Sequence, residues 1–249
     1  FGDSALAGQR LKVLAEVYAE STKTFVLHNA RKKPRLFVDL GCGSGHTTFL
    51  IANALGCEYA VGLDNSEYFI AQAQKSATNR VYFRLQDVTE APFGIDAADL
   101  LYCRFLMTHL PEPSGVIREW AGQMSSGGLL LMEEVEDILT ANNTFRTYLN
   151  VVDAMLKAQG SNLYIGPVLD VLAIPDSLVK VSSMVKRLSV PPHKAAEMFF
   201  LNIQSWKHQP FVSAHYSRSV VEGLEESLKQ LCSEPAADGE IEWHLRQMV

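Results

Sequence analysis

Residues Val38–Phe49, VDLGCGSGHTTF, join an apolar strand to the start of a helix through three glycines at alternate positions. These glycines are Gly41, Gly43 and Gly45. Glycine tolerates the positive φ angles of tight turns and lets a ligand come close to the backbone. A glycine-rich turn between a strand and a helix is a common binding site in α/β proteins. The spacing therefore predicts that a ligand lies against this loop.

Strand-like apolar runs alternate with helical patterns around this loop. The predicted strands are Leu36–Leu40, Tyr59–Leu63, Val81–Leu85, Leu100–Cys103 and Leu129–Met132, and the helices between them are Thr47–Leu55, Glu67–Ser76 and Val116–Met124. This alternation predicts a doubly wound α/β fold with a mostly parallel sheet. Ligands of such sheets bind beyond the carboxyl ends of the strands, near the topological switch point.

The flanking segments follow a different pattern. Apolar residues at helical spacing, among them Tyr18 and Phe25, predict a helix ahead of the first strand. Beyond about Val135 the alternation gives way to further helices and two late strands; the helices are Asn143–Gln159, Lys194–Lys207 and Val220–Leu231, and the strands are Leu178–Val190 and Ile241–Val249. We expect one domain, 1–249, with an N-terminal helical segment (1–34), a core (35–140), helical cap segments (about 141–176 and 191–239) and late strands (about 177–190 and 240–249).

The composition narrows the class of protein. The 249 residues are 47% hydrophobic and carry a formal net charge of −6, which argues against nucleic acid as a partner. The basic run RKKPR at 31–35 is typical of a solvated turn. Four cysteines and seven histidines show no metal-ligand spacing, which predicts no metal site and favours the reduced thiols of a cytoplasmic protein. We see no membrane-spanning run and no signal-peptide pattern, although a chain that begins at Phe1 leaves a removed leader open.

The glycine spacing distinguishes between possible ligands. A dinucleotide loop needs a small residue at the third position of GxGxxG, and His46 stands there. A phosphate-binding Walker loop needs a GK[ST] sequence, which is missing here. The observed spacing is GxGxG. A nicotinamide oxidoreductase stays open only if the loop tolerates His46.

Three acids at consecutive strand ends carry a resemblance to a known family. The stretches are VDLGCGSG with Asp39, AVGLDNS with Asp64 and FRLQDVT with Asp87. Together they resemble class I S-adenosylmethionine-dependent methyltransferases, most closely the small-molecule group that includes the trans-aconitate and quinone methyltransferases. The resemblance covers roughly residues 35 to 137. It implies a Rossmann-like, seven-stranded sheet in which the last strand is inserted antiparallel.

The resemblance also implies a cofactor site. Asp64 would bind both ribose hydroxyls, Asp87 would approach the adenine amine, and the glycines would lie against the methionine arm of S-adenosylmethionine, whose product is S-adenosylhomocysteine. The expected cofactor-binding residues are Asp39, Gly41, Cys42, Gly43, Gly45, Asp64, Asn65, Asp87, Val88, Cys103 and Arg104. Three carboxylates suit a ligand with a sulfonium and an ammonium against one carboxylate. Each acid also has a local explanation: Asp39 could fix the loop, Asp64 could cap the next helix, and Asp87 could form an Asx turn.

The segment after the fourth strand, DLLYCRFLMTHLPEP, supplies the catalytic candidates. His109 is the first choice for a general base or a group that orients the substrate, although a histidine at a helix end can also serve structure alone. Arg104 is expected near the methionine moiety or the substrate. Strand alternation sends Glu133 and Glu134 to opposite faces, so one of them, taken as Glu133, would face the cavity or pair with Arg104. Weaker candidates are Arg10, Tyr18, Tyr148, Tyr164, His193, His208 and His215.

Missing motifs narrow the acceptor. The tetrapeptide of the amino-directed DNA methyltransferases is replaced by YCRF at 102–105, Cys103 lacks the preceding proline of the cytosine enzymes, and the paired glutamates follow the fifth strand rather than the fourth. We therefore expect a small-molecule methyltransferase without nucleic-acid or membrane partners. The methylated atom and the oligomeric state stay open. The alternative is a protein of this fold that binds the cofactor without methylating.

Overall fold

The computed structural model describes residues 4–30, 33–233 and 241–249. Its strands are β1 Leu36–Leu40, β2 Tyr59–Asp64, β3 Val81–Leu85, β4 Ala98–Arg104, β5 Met124–Thr140, β6 Ser183–Val190 and β7 Ile241–Met248. Within the described ranges these seven strands form one sheet in the order β3-β2-β1-β4-β5-β7-β6. Neighbours from β3 to β5 pair in parallel, and β7 lies antiparallel between β5 and β6. The mostly parallel sheet and the antiparallel last strand are both confirmed.

Helices cover both faces of the parallel part of the sheet. They are α1 Ala5–Asn29, α2 His46–Leu55, α3 Glu67–Gln74, α4 Pro113–Ala121, α5 Asn143–Ala158, α6 Gly166–Val171, α7 Pro192–Trp206, α8 Pro210–His215 and α9 Arg218–Cys232. Adjacent residues of β1 point to opposite sides, so Phe37 packs with α1, α2 and α3 while Val38 packs with α4 and α6. This is the doubly wound arrangement that the sequence predicts.

The N-terminal helix is confirmed as α1, and Ser4 caps it by accepting a hydrogen bond from the Ala7 backbone N–H at 3.2 Å. Its buried Tyr18 joins a hydrophobic cluster with α5, α7, α9 and the apolar residues of β5 and β7. This cluster places α1 and α7 against each other above the carboxyl edge of the sheet.

Several predicted boundaries are wrong, among them the start of the fifth strand, which is Met124 rather than Leu129. The late strand begins at Ser183 rather than Leu178, because the Leu178 N–H bonds to the Pro175 carbonyl at 2.9 Å and turns the chain away from the sheet. The fourth helix covers Pro113–Ala121 rather than Val116–Met124. Proline is favoured at the first helical position, where its missing N–H costs nothing.

The acidic cluster after Met132 lies inside a strand, which corrects the expectation that it closes one. β5 continues to Thr140 because β7 pairs with it from Met132 onward. The register shifts between Val135 and Asp137, which marks a bulge at Glu136. Glu133 and Glu134 are therefore held rigidly and fully buried.

Some expectations fall outside the described residues. These are the turn at Arg31 and Lys32, the connecting loop at 234–239, and any statement about Phe1. The division into core, cap segments and late strands stays a prediction. Among the residues that are described, no helix combines the length and apolar character that crossing a membrane requires.

Candidate active site

A cavity of about 430 Å³ lies at the carboxyl edge of the sheet. Its floor comes from the ends of β1, β2, β3 and β4, and the strand order reverses between β1 and β4. The predicted cofactor residues that line it are Asp39, Gly41, Cys42, Gly43, Asp64, Asn65, Asp87, Val88 and Arg104. The cavity thus occupies the topological switch point, where α/β sheets bind ligands.

Two of the glycines are needed in the loop for different structural reasons. Gly43 lies on the cavity wall with φ +52°, and a Cβ there would stand 2.8 Å from Leu11 Cδ1 of α1. Gly45 has φ +82° and lies outside the cavity lining. A Cβ on Gly45 would stand 2.6 Å from the Phe83 ring, so this glycine lets α2 pack on β3.

Asp64 joins the glycine loop to the next helix. Its carboxylate accepts the Gly43 backbone N–H at 2.8 Å and the Ser66 backbone N–H at 2.9 Å. The cap of α3 is Ser66, whose hydroxyl accepts the Phe69 N–H. Asp64 is half-buried and lines the cavity.

The other two acids also have local partners. The Thr48 hydroxyl donates to Asp39 at 2.6 Å, and burial raises the pKa of Asp39 to about 7. The Thr89 N–H and hydroxyl donate to Asp87 Oδ1 at 2.8 and 2.7 Å, which is the Asx turn considered above. Both acids still line the cavity, so the local explanation and the cofactor hypothesis are compatible.

Arg104 is fixed at the end of β4 by two threonines. Its guanidinium donates to the Thr22 and Thr47 hydroxyls, each at 2.9 Å, and lies 5.6 Å from the centroid of the Tyr18 ring. Burial raises the pKa of Tyr18 well above its usual value and outweighs the opposite effect of Arg104, so the phenol stays neutral. The guanidinium therefore reaches the cavity in a defined orientation.

Glu133 lies behind the cavity wall. Its Oε2 accepts the Thr22 and Tyr102 hydroxyls, each at 2.6 Å, and its Oε1 accepts the Gln247 amide at 2.7 Å. The Thr22 hydroxyl thus donates to Glu133 while it accepts from Arg104. Thr22 thus links the Arg104 guanidinium to the Glu133 carboxylate. Tyr102 lines the cavity whereas Glu133 does not, so Glu133 lies one residue behind the cavity wall.

Glu134 points to the opposite side of the sheet. Its Oε1 accepts the Leu106 and Met107 backbone N–H groups at 2.8 and 3.0 Å, which fixes the turn that carries His109. Burial raises the pKa of Glu134 to about 8 despite these two donors. The folded protein therefore holds Glu134 protonated at neutral pH. The alternation in the sequence correctly separated the two glutamates, and the backbone-binding role of Glu134 was missed.

We predict that the stability falls with rising pH because of Glu134. Its pKa is about 8 in the folded protein and about 4.5 in the unfolded chain, so the folded state binds more protons between these values. The stabilisation is complete below about pH 4.5 and is lost as the pH rises through about 8, at up to about 1.4 kcal/mol per pH unit. Urea unfolding from pH 5 to pH 9 should give a flatter curve for Glu134→Gln than for wild type, whereas parallel curves would contradict this assignment.

His109 lies at the end of the short 3₁₀ turn Met107–His109 and lines the cavity. His109 is partly exposed, and the exposed part is surrounded by enough protein to desolvate the imidazole. This burial, helped by the positive charge of Arg10, lowers the pKa of His109 to about 4. The imidazole is therefore neutral at physiological pH and can accept a hydrogen bond, but a pKa this low makes it a weak general base.

We predict that the His109 ring resonances do not titrate between pH 5.5 and pH 8, because the pKa lies near 4. Two-dimensional NMR of the histidine side chains checks this, with the His109→Gln spectrum giving the assignment. The other histidines of the same sample serve as the control for pH. A midpoint near the unperturbed value of about 6.5 would contradict the lowered pKa.

Three predicted site residues lie away from the cavity lining: Gly45, Cys103 and Glu133. Cys103 is fully buried in the core on the α4 side of the sheet. Arg10, Tyr18 and Tyr148 do line the cavity, while Tyr164, His193, His208 and His215 are not among its lining residues. Asn202 lines it as well and was missed, since no motif surrounds it. In the described ranges no group of three or more His, Cys, Asp or Glu side chains could hold a metal ion.

Residues 38–132 match the family model of a methyltransferase domain. The trans-aconitate 2-methyltransferase of Variovorax paradoxus is 32% identical over 96 residues, which are 39% of this chain and 37% of that protein. The ubiquinone biosynthesis O-methyltransferase of Coxiella burnetii is 28% identical over 125 residues, 48% of this chain and 49% of that protein. The match thus spans less than half the length of either relative. These matches confirm the resemblance to the class I S-adenosylmethionine-dependent methyltransferases.

Solved structures extend the fold similarity to most of the chain. Coclaurine N-methyltransferase bound to N-methylheliamine and S-adenosylhomocysteine aligns with a TM-score of 0.56 at 15% identity, over 92% of this chain and 72% of that one. A protein of Anaeromyxobacter dehalogenans, provisionally assigned as a type II methyltransferase, aligns with a TM-score of 0.60 at 12% identity, over 91% and 94%. At these identities the likeness concerns the fold.

Proposed function

We propose that the protein is an S-adenosylmethionine-dependent methyltransferase that acts on a small-molecule acceptor. The observation that carries the proposal is the convergence of Asp39, Asp64 and Asp87 with the glycine loop on one cavity at the switch point of the sheet. Carboxylates favour a ligand that carries a sulfonium and an ammonium, and they disfavour a pyrophosphate. The methyltransferase domain match covers the same residues.

The binding roles follow from the resemblance to class I methyltransferases. Asp64 and the neighbouring Asn65 would bind the ribose, Asp87 and Val88 the adenine, and the backbone at Gly41 and Gly43 the methionine arm, with Asp39 and Arg104 near its charged end. When bound, this cofactor supplies an activated methyl group on a sulfonium. The protein then has to hold the acceptor in line with that group and exclude water.

The surrounding helices suit that task. α1, α5 and α7 close the cavity on the side opposite the strand ends, and we propose that α5 and α7 form the helical cap. His109 would orient the acceptor through a hydrogen bond to its neutral imidazole, because a pKa near 4 makes this imidazole a weak general base at physiological pH. Glu133 acts as a positioning residue, because its contacts run through Thr22 and Tyr102.

The proposal includes a cytoplasmic enzyme without nucleic-acid partners. The net charge of −6 supports the second part. All four cysteines lie in described ranges and carry free thiols, which supports the first.

The test is product formation. Purified protein is incubated with S-adenosylmethionine and a panel of small acceptors, and each acceptor is followed by mass spectrometry for the gain of one methyl group. We expect transfer by wild type and loss of transfer in Asp64→Ala. Binding of S-adenosylhomocysteine without transfer to any acceptor class would favour the non-methylating alternative.

A further inference from the structure

One part of the cavity has a different composition from the cofactor end. We call it the acceptor chamber and define it by Val135, Ile138, Val152, Met198, Phe199 and Trp243, which all line the cavity and belong to β5, α5, α7 and β7. The acids that line the cavity are Asp39, Asp64 and Asp87, and they lie at the strand ends. Within the described part of the chain, the chamber wall itself contains no Asp or Glu.

The wall of the chamber carries aromatic rings. Tyr148 stacks on Phe199 with ring centroids 4.0 Å apart and planes 16° apart. Phe199 in turn packs against Trp243 at 5.5 Å. Such surfaces favour ligands with an extended apolar body, because ring contacts add to the free energy of burying apolar area.

A single polar pair interrupts this apolar wall. The Asn202 amide of α7 donates to the Tyr148 hydroxyl of α5 at 2.5 Å, and both residues line the cavity. Asn202 is only 7% exposed, and its Oδ1 has no hydrogen-bond partner among the described residues. A buried acceptor without a donor costs about 1–3 kcal/mol, so the site is suited to a ligand that brings a donor.

The two groups together match a hydroxyl. Asn202 Oδ1 accepts a hydrogen bond, and the Tyr148 oxygen, which already accepts from Asn202, keeps its own proton to donate. Burial raises the pKa of Tyr148 to about 12, so the phenol keeps this proton at physiological pH. A hydroxyl is both a donor and an acceptor, so it is a small neutral group that can satisfy both partners.

The charges around the chamber disfavour ionic acceptors. The cationic side chains that line the cavity are Arg10 and Arg104, and His109 is neutral at pH 7. An ammonium group in the chamber would find no carboxylate on the chamber wall. It would also be repelled by the guanidinium groups of Arg10 and Arg104. A tricarboxylate carries three negative charges against the two guanidinium groups of Arg10 and Arg104, so at least one carboxylate would lie against apolar walls, which is costly.

We infer that the acceptor is a neutral, mostly apolar molecule whose hydroxyl binds the Tyr148–Asn202 pair, and that this pair determines acceptor specificity. The inference rests on the proposed function, since it assigns the acceptor to the part of the cavity that the cofactor does not fill. It distinguishes this chain from its relatives named for trans-aconitate, whose acceptor carries several carboxylates.

A matched series of ligands tests the inference. Isothermal titration on protein saturated with S-adenosylhomocysteine compares 2-naphthol, 2-naphthoate and 2-naphthylmethylamine, which share one ring system and differ in charge, with trans-aconitate as a fourth ligand. We expect 2-naphthol to bind at least ten times more tightly than each of the others. Tighter binding of an ionic ligand, or binding of S-adenosylhomocysteine without any binding of 2-naphthol, would overturn the inference. Failure of S-adenosylhomocysteine itself to bind would instead defeat the proposed function.

Variants then assign the effect to the polar pair. Asn202→Leu keeps the side-chain size and should weaken 2-naphthol binding about tenfold or more, with the affinity for S-adenosylhomocysteine unchanged. Tyr148→Phe keeps the ring and should have the same effect, which covers the case in which the first variant does not fold. Asn150→Leu, at an exposed position of α5, is the matched control and should bind like wild type. Full 2-naphthol affinity in folded variants of the pair would overturn the assignment.

Discussion

Asp64→Ala is expected to weaken the binding of S-adenosylhomocysteine by about 100-fold or more. The variant would lose the two hydrogen bonds that the Asp64 carboxylate accepts from the ribose hydroxyls, and hydrogen bonds to a charged group contribute about 1.5–3 kcal/mol each. It would also lose the bond that holds the Gly43 N–H at 2.8 Å, so the loop against the methionine arm would be less well ordered. Asp64→Arg should be worse than Asp64→Ala, because it adds a positive charge beside a cationic cofactor.

Isothermal titration measures this effect, with circular dichroism as the check on folding. Asp96→Ala is the control, because Asp96 forms an exposed pair with Arg35 and its side chain is 75% accessible. The control should bind with wild-type affinity, since exposed pairs contribute little. Undiminished binding by a folded Asp64→Ala protein would defeat the assignment of the ribose site.

Glu133→Ala is expected to lower the free energy of unfolding by about 3–5 kcal/mol. The substitution leaves the hydroxyls of Thr22 and Tyr102 and the amide of Gln247 without their buried acceptor. It also removes the carboxylate that Arg104 reaches through the Thr22 hydroxyl. These groups come from α1, β4 and β7, so the loss should affect the whole fold.

Urea denaturation at pH 7 measures the change in unfolding free energy. Glu222→Ala provides the comparison, because Glu222 pairs with Arg218 on the surface of α9, where the two side chains are 58% and 89% accessible. Its loss should be below about 1 kcal/mol. Equal effects of the two substitutions would show that the buried network does not contribute to stability.

The core of the fold followed from local sequence patterns. Leu36–Leu40 and Val81–Leu85 have the predicted bounds because apolar runs of this length between polar turns leave few alternatives. The loop, Asp64 and Asp87 were placed at one cavity because parallel strands bring their carboxyl ends to the same edge. These elements depend on periodicity and handedness, which a single sequence contains.

Contacts between distant residues could not be predicted in this way. Glu133 contacts Thr22 and Gln247, which lie 111 and 114 residues away along the chain. β5 continues through the acidic cluster only because β7 pairs with it. The sequence therefore indicated a strand end and a catalytic carboxylate. In the structure the strand continues, and the Glu133 carboxylate is buried with hydrogen bonds to both of its oxygens.

The same limit applies to the acceptor end of the site. Tyr148 and Asn202 are 54 residues apart on two helices, and their pairing depends on how α5 and α7 pack. Gly45 is a second example. Its motif indicates ligand binding, but in the structure its close neighbour is the Phe83 ring rather than the cavity. Periodicity identifies which residues face inward, whereas the partner across an interface depends on tertiary structure.

A crystal structure of the complex with S-adenosylhomocysteine tests the central claim most directly. We expect the ligand to lie across the carboxyl edge of the sheet, with both ribose hydroxyls within hydrogen-bonding distance of Asp64 and the homocysteine arm against Gly41 and Gly43. An empty cavity at saturating ligand, or a ribose bound away from Asp64, would contradict the account.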